Sequence, residues 1–156
     1  FLVLEGFQAG LSWSLILQRR NALRKAFEGF DPIKVAKFSE DDVSRLMETP
    51  GVIKHKAKIL SAINNAQRIL EIQTEFGSFN TFIWKFVNGK TINHEFTSFS
   101  EMPPENEQAK TMSKEMKSRG FKFVGPSVCY SFMQAVGLVN DHLVWCFRYK
   151  QVKNIT

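Results

Sequence analysis

The chain has 156 residues, and its 44% hydrophobic content supports one domain with a sizeable core and excludes an intrinsically disordered segment. Its 21 Lys and Arg outnumber its 15 Asp and Glu, and the formal net charge of +6 suits a polyanion such as nucleic acid. The two cysteines, Cys129 and Cys146, form no disulfide framework and favour a reducing cytoplasm, while no apolar run reaches the ~18 residues of a membrane span.

Helical spacing dominates the first fifty residues. The opening Phe1-Leu2-Val3-Leu4 has no initiator Met and no cap, and it resembles the middle of a helix, so we expect the chain to begin inside a domain. Ser12 is placed to cap a helix, and Asp31-Pro32 begins a short helical turn. Ser39 to Asp42 is typical of a capping box that opens a further helix. The first of these helices has apolar residues at intervals of three to four: Trp13, Ile16, Leu17, Leu23 and Phe27.

The remaining pattern is also helical. Pro50-Gly51 ends one helix, and a longer one follows with an apolar stripe from Ile59 to Leu70. An aromatic helix is predicted over 79–87, then a polar loop over 90–100. A helix starting at Pro103 ends before Gly120, and the last helix runs from Pro126 to about Leu138. No strand pattern is present, so we predict an all-α fold and a single helical domain over residues 1–156.

The turn between the Ser39 helix and the longer helix has the composition of a phosphate-binding corner. Gly51 permits the positive φ that reverses the chain, and the next helix begins with unpaired N–H groups beside Lys54, Lys56 and Lys58. His55 can add a further donor. Such a hairpin would hold a DNA backbone without reading its sequence. A plain helical corner with a solvated lysine face fits the same spacing. The candidate DNA-binding residues are Gly51, Val52, Ile53, Lys54, His55 and Lys56.

A second candidate site lies between Glu5 and Trp13. A carboxylate, two glycines and a tryptophan occur within nine residues. Trp13 offers a flat face on which a nucleobase could stack, and Glu5 could accept hydrogen bonds from an exocyclic amine or stabilise a cationic base. Without further context, Trp13 also fits a core residue and Glu5 a surface carboxylate.

A third candidate is His142-x-x-x-Cys146. An imidazole and a thiolate four residues apart can share one metal, and both are good zinc ligands, but two ligands do not complete a structural zinc site. Cys129 lies in an apolar helix and is interpreted as a buried structural thiol.

Seven segments, in order and over essentially the whole chain, resemble the DNA-3-methyladenine glycosylase I family. The hairpin also resembles the helix-hairpin-helix motif of DNA-repair proteins, although Ile53 stands where a second Gly is frequent. The matching segments are Leu4–Trp13, Phe30–Ala36, Gly51–Ile59, Phe82–Asn88, Arg119–Gly125, Cys129–Ala135 and Gly137–His142.

The resemblance implies hydrolysis of the N-glycosidic bond of 3-methyladenine in alkylated double-stranded DNA by a monomer that binds no membrane. It implies that Glu5 contacts the adenine edge as the catalytic and base-binding carboxylate and that Trp13 stacks on the base. Gln8, Gly10 and Leu11 resemble the family loop that enters the DNA stack, with Leu11 as the wedge. Leu11 equally fits the first core residue before the Trp13 helix.

The resemblance also implies a structural zinc held by His142 and Cys146 together with a Cys and a His from an N-terminal segment. We expect that segment, which also supplies a pocket tyrosine, to be missing from this chain. Asp141 is a tempting catalytic acid, but we interpret it as orienting His142 or as a cap. A DNA-binding module without chemistry and an inactive remnant stay open as alternatives, as does the choice between 3-methyladenine and 3-methylguanine.

Overall fold

Residues 1–153 are described by the computed structural model, and they form nine α-helices and one pair of two-residue strands; residues 154–156 of the predicted domain lie outside this range. The all-α prediction is confirmed. The helices are α1 (Leu2–Gln8), α2 (Trp13–Ala26), α3 (Pro32–Val35), α4 (Glu40–Glu48), α5 (Lys56–Phe76), α6 (Phe79–Trp84), α7 (Glu107–Ser118), α8 (Pro126–Ala135) and α9 (Phe147–Lys153). The strands are β1 (Ile92–Asn93) and β2 (Val139–Asn140), and short 3-10 turns span Glu28–Phe30, Lys85–Val87 and Phe99–Glu101.

The predicted helix starts in the first half of the chain are present. The Ser12 hydroxyl accepts a hydrogen bond from the Leu15 N–H at the start of α2. The Asp31 carboxylate accepts one from the Ile33 N–H at the start of α3. Ser39 and Asp42 cap each other's backbone N–H groups in a reciprocal capping box before α4.

Several boundaries differ from the sequence-based expectation. The predicted 90–100 loop contains β1, which pairs in parallel with β2. The α7 helix begins at Glu107 instead of Pro103, because the Asn106 side chain accepts the Ala109 N–H and fixes the first turn there. The α8 helix ends at Ala135, and Gly137 with φ of 81° turns the chain into β2. The α9 helix was not predicted.

The side chains of the core form two hydrophobic clusters. One lies between α6, α7, α8 and the end of α5, and the other lies between α1, α2, α4 and the beginning of α5. The seven-residue α1 joins them, because Leu2 belongs to the first cluster while Leu4 and Phe7 belong to the second. This placement fixes α1 in the interior of the molecule. Leu17, which the spacing placed in the apolar stripe of α2, is instead 46% exposed.

The turn between α4 and α5 packs closely against α2. Gly51 has φ of 85°, as its position at a chain reversal predicts, and a Cβ built on it would lie 2.6 Å from the Cβ of Ala22. Glycine is therefore required here both for its backbone conformation and for the close approach. None of the helices within residues 1–153 is long and apolar enough to cross a membrane.

Candidate active site

A cavity of about 470 Å³ opens between α1, α2 and α8. Glu5 and Gln8 reach it from α1, and Trp13 reaches it from the first turn of α2. The structure thus brings together three residues that the sequence singled out. The cavity is lined by Phe1, Glu5, Gln8, Trp13, Leu17, Ser131, Gln134 and Ala135.

Glu5 is a buried carboxylate on the wall of this cavity. The residue is only 4% exposed, and within residues 1–153 its carboxylate oxygens make no hydrogen bond or ion pair with another side chain or with the backbone. Burial raises the pKa of Glu5 above its ordinary value, because the ionised form loses solvation, and the amino group of Phe1 opposes this rise by a smaller amount. A buried carboxylate without hydrogen bonds is costly, and a bound group with N–H donors or a positive charge would offset that cost.

Trp13 also lines this cavity. Its ring is partly buried against the second hydrophobic cluster, so packing limits its orientations. Leu17, one turn further along α2, continues the apolar lining. The ring therefore packs on the core, as its core alternative predicts, and it also lines the cavity, while stacking on a base stays a prediction.

The segment 9–12 between α1 and α2 is a tight turn. The Gln8 side-chain amide donates to the Leu11 carbonyl at 2.9 Å, and the Leu11 N–H donates back to the Gln8 carbonyl at 2.6 Å. Gly10 is exposed with φ of 77°. Leu11 is half-buried against the second cluster, as its core alternative predicts. To enter a DNA stack, the Leu11 side chain would have to leave this contact.

The hairpin between α4 and α5 presents only part of the predicted DNA-binding set. The prediction that Val52 contacts DNA is wrong. Val52 is only 3% exposed, and its N–H donates to the Thr49 carbonyl, so neither its side chain nor its N–H is available to DNA. Ile53 also packs against the second cluster. Lys54 and Lys56 are exposed, and the long contact of 3.8 Å between Lys56 and Glu40 leaves both partners solvated.

His55 is the N-cap of α5. Its Nδ1 atom accepts the Lys58 N–H at 3.4 Å, which leaves Nε2 as the ring nitrogen that can donate outward. The backbone N–H groups of Ile53, Lys54, Lys56 and Ala57 have no acceptor among the residues that the structure describes. This helix start therefore has free donors and exposed lysines around it, as an anion site requires.

Lys58 does not join the exposed lysines of the hairpin. It is 6% exposed, and its ammonium group donates to the carbonyl oxygens of Phe7 at 2.8 Å and Ala9 at 2.6 Å. Burial lowers its pKa. The sequence-based placement beside a phosphate is wrong for this residue, because its side chain points inward to the end of α1. The sequence contained a sign of this burial, because Lys58 lies one helical turn before Ala62, on the apolar stripe of α5.

The two predicted metal ligands lie together. His142 Nδ1 and Cys146 Sγ are 3.8 Å apart. With the usual Zn–N and Zn–S lengths, two tetrahedral ligands of one zinc lie about 3.6 Å apart, so this pair fits one metal. No cluster of three or more His, Cys, Asp or Glu residues suited to a metal occurs within residues 1–153.

Asp141 does not orient His142. Its carboxylate instead binds His94 Nδ1 at 2.5 Å and accepts from the Gln134 amide at 2.7 Å, so the expected role beside the metal ligand is wrong. Gln134 also lines the cavity with Glu5. Sequence patterns could not reveal this network, because His94 and Asp141 are 47 positions apart.

The fold is similar to that of solved DNA glycosylases. The chain superposes with a TM-score of 0.91 on 3-methyladenine DNA glycosylase I, at 44% identity over 94% of this chain and 80% of that chain. The TM-score is again 0.91, at 40% identity and over 94% and 78% of the two chains, for a variant of 3-methyladenine DNA glycosylase I in complex with 3-methyladenine.

Sequence comparison also identifies a family of methyladenine glycosylases. A family model described as methyladenine glycosylase matches residues 1–149, and the chain belongs to this family. It is 47% identical to DNA-3-methyladenine glycosylase 1 of Escherichia coli (strain K12) over 148 residues, which are 95% of this chain and 79% of that relative. It is 43% identical to DNA-3-methyladenine glycosylase of Haemophilus influenzae over 93% of this chain and 78% of the relative.

The raised pKa of Glu5 predicts that this residue reduces stability when it is ionised. The folded chain holds the Glu5 proton more tightly than the unfolded chain does. The free energy of unfolding should therefore be higher when Glu5 is protonated, and it should fall as the pH rises through the raised pKa of Glu5. Glu5→Gln should therefore unfold at a higher temperature than the wild type at neutral and alkaline pH. The difference should shrink in acid, as measured by thermal unfolding across pH.

The exposed Asp41→Asn variant is the matched control. Asp41 lies in the first turn of α4, where a negative charge is favourable, so its removal should lower the unfolding temperature slightly. A Glu5→Gln protein that is no more stable than the wild type at any pH would contradict the assignment of Glu5 as a buried carboxylate without hydrogen bonds.

Proposed function

We propose that this chain is a monofunctional DNA glycosylase that hydrolyses the N-glycosidic bond of 3-methyladenine in alkylated double-stranded DNA, releasing the free base and leaving an abasic site. The main observation in support is Glu5, a buried carboxylate that makes no hydrogen bond within residues 1–153, on the wall of a cavity that Trp13 also lines. A module that only grips the DNA backbone has no need of such a cavity.

The chemistry of the lesion suits this cavity. An adenine methylated at N3 is cationic in the nucleotide and leaves as a neutral base, so its departure needs little help from a protein acid. The Glu5 carboxylate would balance the positive charge of the base and accept hydrogen bonds from its edge. Trp13 would stack on the extruded base, which contributes about 1–3 kcal/mol. Selective binding of the extruded cation then supplies discrimination from normal purines.

The hairpin between α4 and α5 would hold the DNA backbone as a helix-hairpin-helix motif. The support is the set of backbone N–H groups without acceptors at the start of α5, together with exposed Lys54 and Lys56 and the outward Nε2 of His55. These groups suit a phosphate at a helix N-terminus and give no base selectivity. Gly51 contributes by its backbone turn, and Val52 and Ile53 contribute by anchoring the hairpin to the core.

The turn formed by residues 9–12 would approach the space that the base leaves. Gly10 is exposed at its tip, and Leu11 follows as the apolar residue that could enter the stack. Gln8 holds the turn through its bond to the Leu11 carbonyl. Insertion of Leu11 would exchange its contact with the second cluster for contact with bases.

Release of free 3-methyladenine from methylated duplex DNA by the full-length protein tests the proposal directly. We expect release by the wild type, a loss on the order of 10²-fold in the single-turnover rate for Glu5→Gln, and about a 10–100-fold loss for Trp13→Ala. The exposed Lys114→Met variant on α7 should match the wild type. Binding to DNA without any release would contradict the enzymatic proposal, and full activity of Glu5→Gln would contradict the role of Glu5.

We also propose that the enzyme is a cytoplasmic monomer. A further proposal is a structural zinc that His142 and Cys146 help to hold. The 3.8 Å separation of the two ligand atoms supports a shared metal, and a closed tetrahedral site needs two further ligands. A zinc here would tie the segment after β2 in place and take no part in the reaction.

Metal analysis of the purified full-length protein tests the zinc proposal. Zinc should bind with a stoichiometry that falls strongly in His142→Ala and in Cys146→Ala, because each change removes one ligand. His55→Ala, which removes a histidine from the hairpin, should keep the wild-type zinc content. Zinc content that is unchanged in both ligand variants would contradict the assignment.

A further inference from the structure

One buried side chain connects the hairpin to the end of α1 and the turn that follows it. Lys58 lies in the first turn of α5, directly after the helix start that we propose to hold phosphate. Its ammonium group ends at the carbonyls of Phe7 and Ala9, at the last turn of α1 and the beginning of the 9–12 turn. The side chain thus connects two segments that are about fifty positions apart in the sequence.

This contact satisfies carbonyl groups at the end of α1. A helix leaves its last carbonyl groups without partners, and the last turn of α1 contains no basic residue of its own. Its C-cap, Ala9, has φ of −46° and ψ of 115°, so the chain leaves the helix without a left-handed glycine cap. The Lys58 ammonium supplies the missing donors and a positive charge at the negative end of the α1 dipole.

A second bond fixes the other end of the same turn. The Gln8 amide donates to the Leu11 carbonyl at 2.9 Å, while Lys58 holds Phe7 and Ala9. Gly10 between these anchors is exposed, and a Cβ added to it would meet no atom within 4 Å, so only the tip is free. Both ends of the turn are therefore held in place, and only its tip is free. The residues that flank the turn, Gln8 and Trp13, both line the cavity.

We propose that Lys58 is a positioning residue that couples the grip of the hairpin on the DNA backbone to insertion of the 9–12 turn into the stack. This inference rests on the proposed function. When α5 is seated on a phosphate, the buried ammonium sets the distance from that phosphate to Gly10 and Leu11. Lys58 itself touches neither the DNA nor the base. Burying the Lys58 ammonium costs free energy, and its two hydrogen bonds to the end of α1 fix the geometry of the turn.

The test separates grip from insertion. The DNA probe is a duplex containing a tetrahydrofuran abasic analogue opposite 2-aminopurine, whose fluorescence rises when the turn disturbs the stack and which needs no excision. Lys58→Met keeps the length of the side chain and removes the donor. Its Kd for undamaged duplex should lie within about twofold of the wild-type value. At saturating protein, however, the fluorescence rise should be less than half that of the wild type, and the single-turnover rate of base release should fall about 10–100-fold.

Lys54→Met is the contrasting control, because Lys54 is exposed on the hairpin. It should weaken binding to every duplex, with the fluorescence rise and single-turnover rate restored at saturating protein. Lys58→Arg, which retains donors, should recover part of the fluorescence rise. If Lys58→Met does not fold, Lys58→Gln, which carries an amide donor on a side chain one bond shorter, should give an intermediate rise.

A double-mutant cycle distinguishes positioning from general stabilisation. Lys58→Met combined with Leu11→Ala should release base no more slowly than the slower single variant, because both act on one insertion step. Lys54→Met combined with Leu11→Ala should show multiplied losses at limiting protein. Multiplied losses for Lys58→Met with Leu11→Ala, or a wild-type fluorescence rise in Lys58→Met, would overturn the inference, as would the absence of any rise with the wild type.

These readouts keep the two proposals apart. A wild type that releases no 3-methyladenine but gives a Lys58-dependent fluorescence rise overturns the proposed function and supports the coupling. A wild type that releases the base while Lys58→Met retains the full rise overturns the coupling alone.

Discussion

The central constraint in this molecule is the position of α1 between two hydrophobic clusters. Leu2 packs into one cluster, and Leu4 and Phe7 pack into the other, so a helix of only seven residues is enclosed on most sides. Glu5 lies between these anchors and is buried with them, on the side where the cavity opens. The packing thus leaves a partly desolvated carboxylate on the cavity wall that makes no hydrogen bond or ion pair within residues 1–153, and a cationic ligand would offset the cost of its burial.

The same constraint relates the cavity to the hairpin. The long helix α5 contributes to both clusters and begins at the turn that contains Gly51. Its first buried side chain, Lys58, ends at the carbonyls that terminate α1. The proposed backbone-binding hairpin and the proposed base cavity are therefore linked through α1, α2 and α5. Such a link is what a site needs when an extruded base must reach a fixed carboxylate.

The sequence predicted local features well and long-range ones poorly. Caps at Ser12 and Ser39, and the glycine reversal at Gly51, depend on a few neighbouring residues, so spacing was sufficient. Glu5, Gln8 and Trp13 were brought to one cavity as their shared motif suggested, although their burial required the tertiary structure. The inward side chain of Lys58 and the bond from Asp141 to His94 depend on packing between distant segments, which no periodicity reports.

The account depends most on the claim that the Glu5 carboxylate recognises the lesion base. A structure of the chain with bound 3-methyladenine measures this directly. The account predicts that the base occupies the cavity between α1, α2 and α8, with its edge within hydrogen-bond distance of Glu5 and its ring against Trp13. A base bound outside this cavity, or bound inside it with no contact to the Glu5 carboxylate, would contradict it.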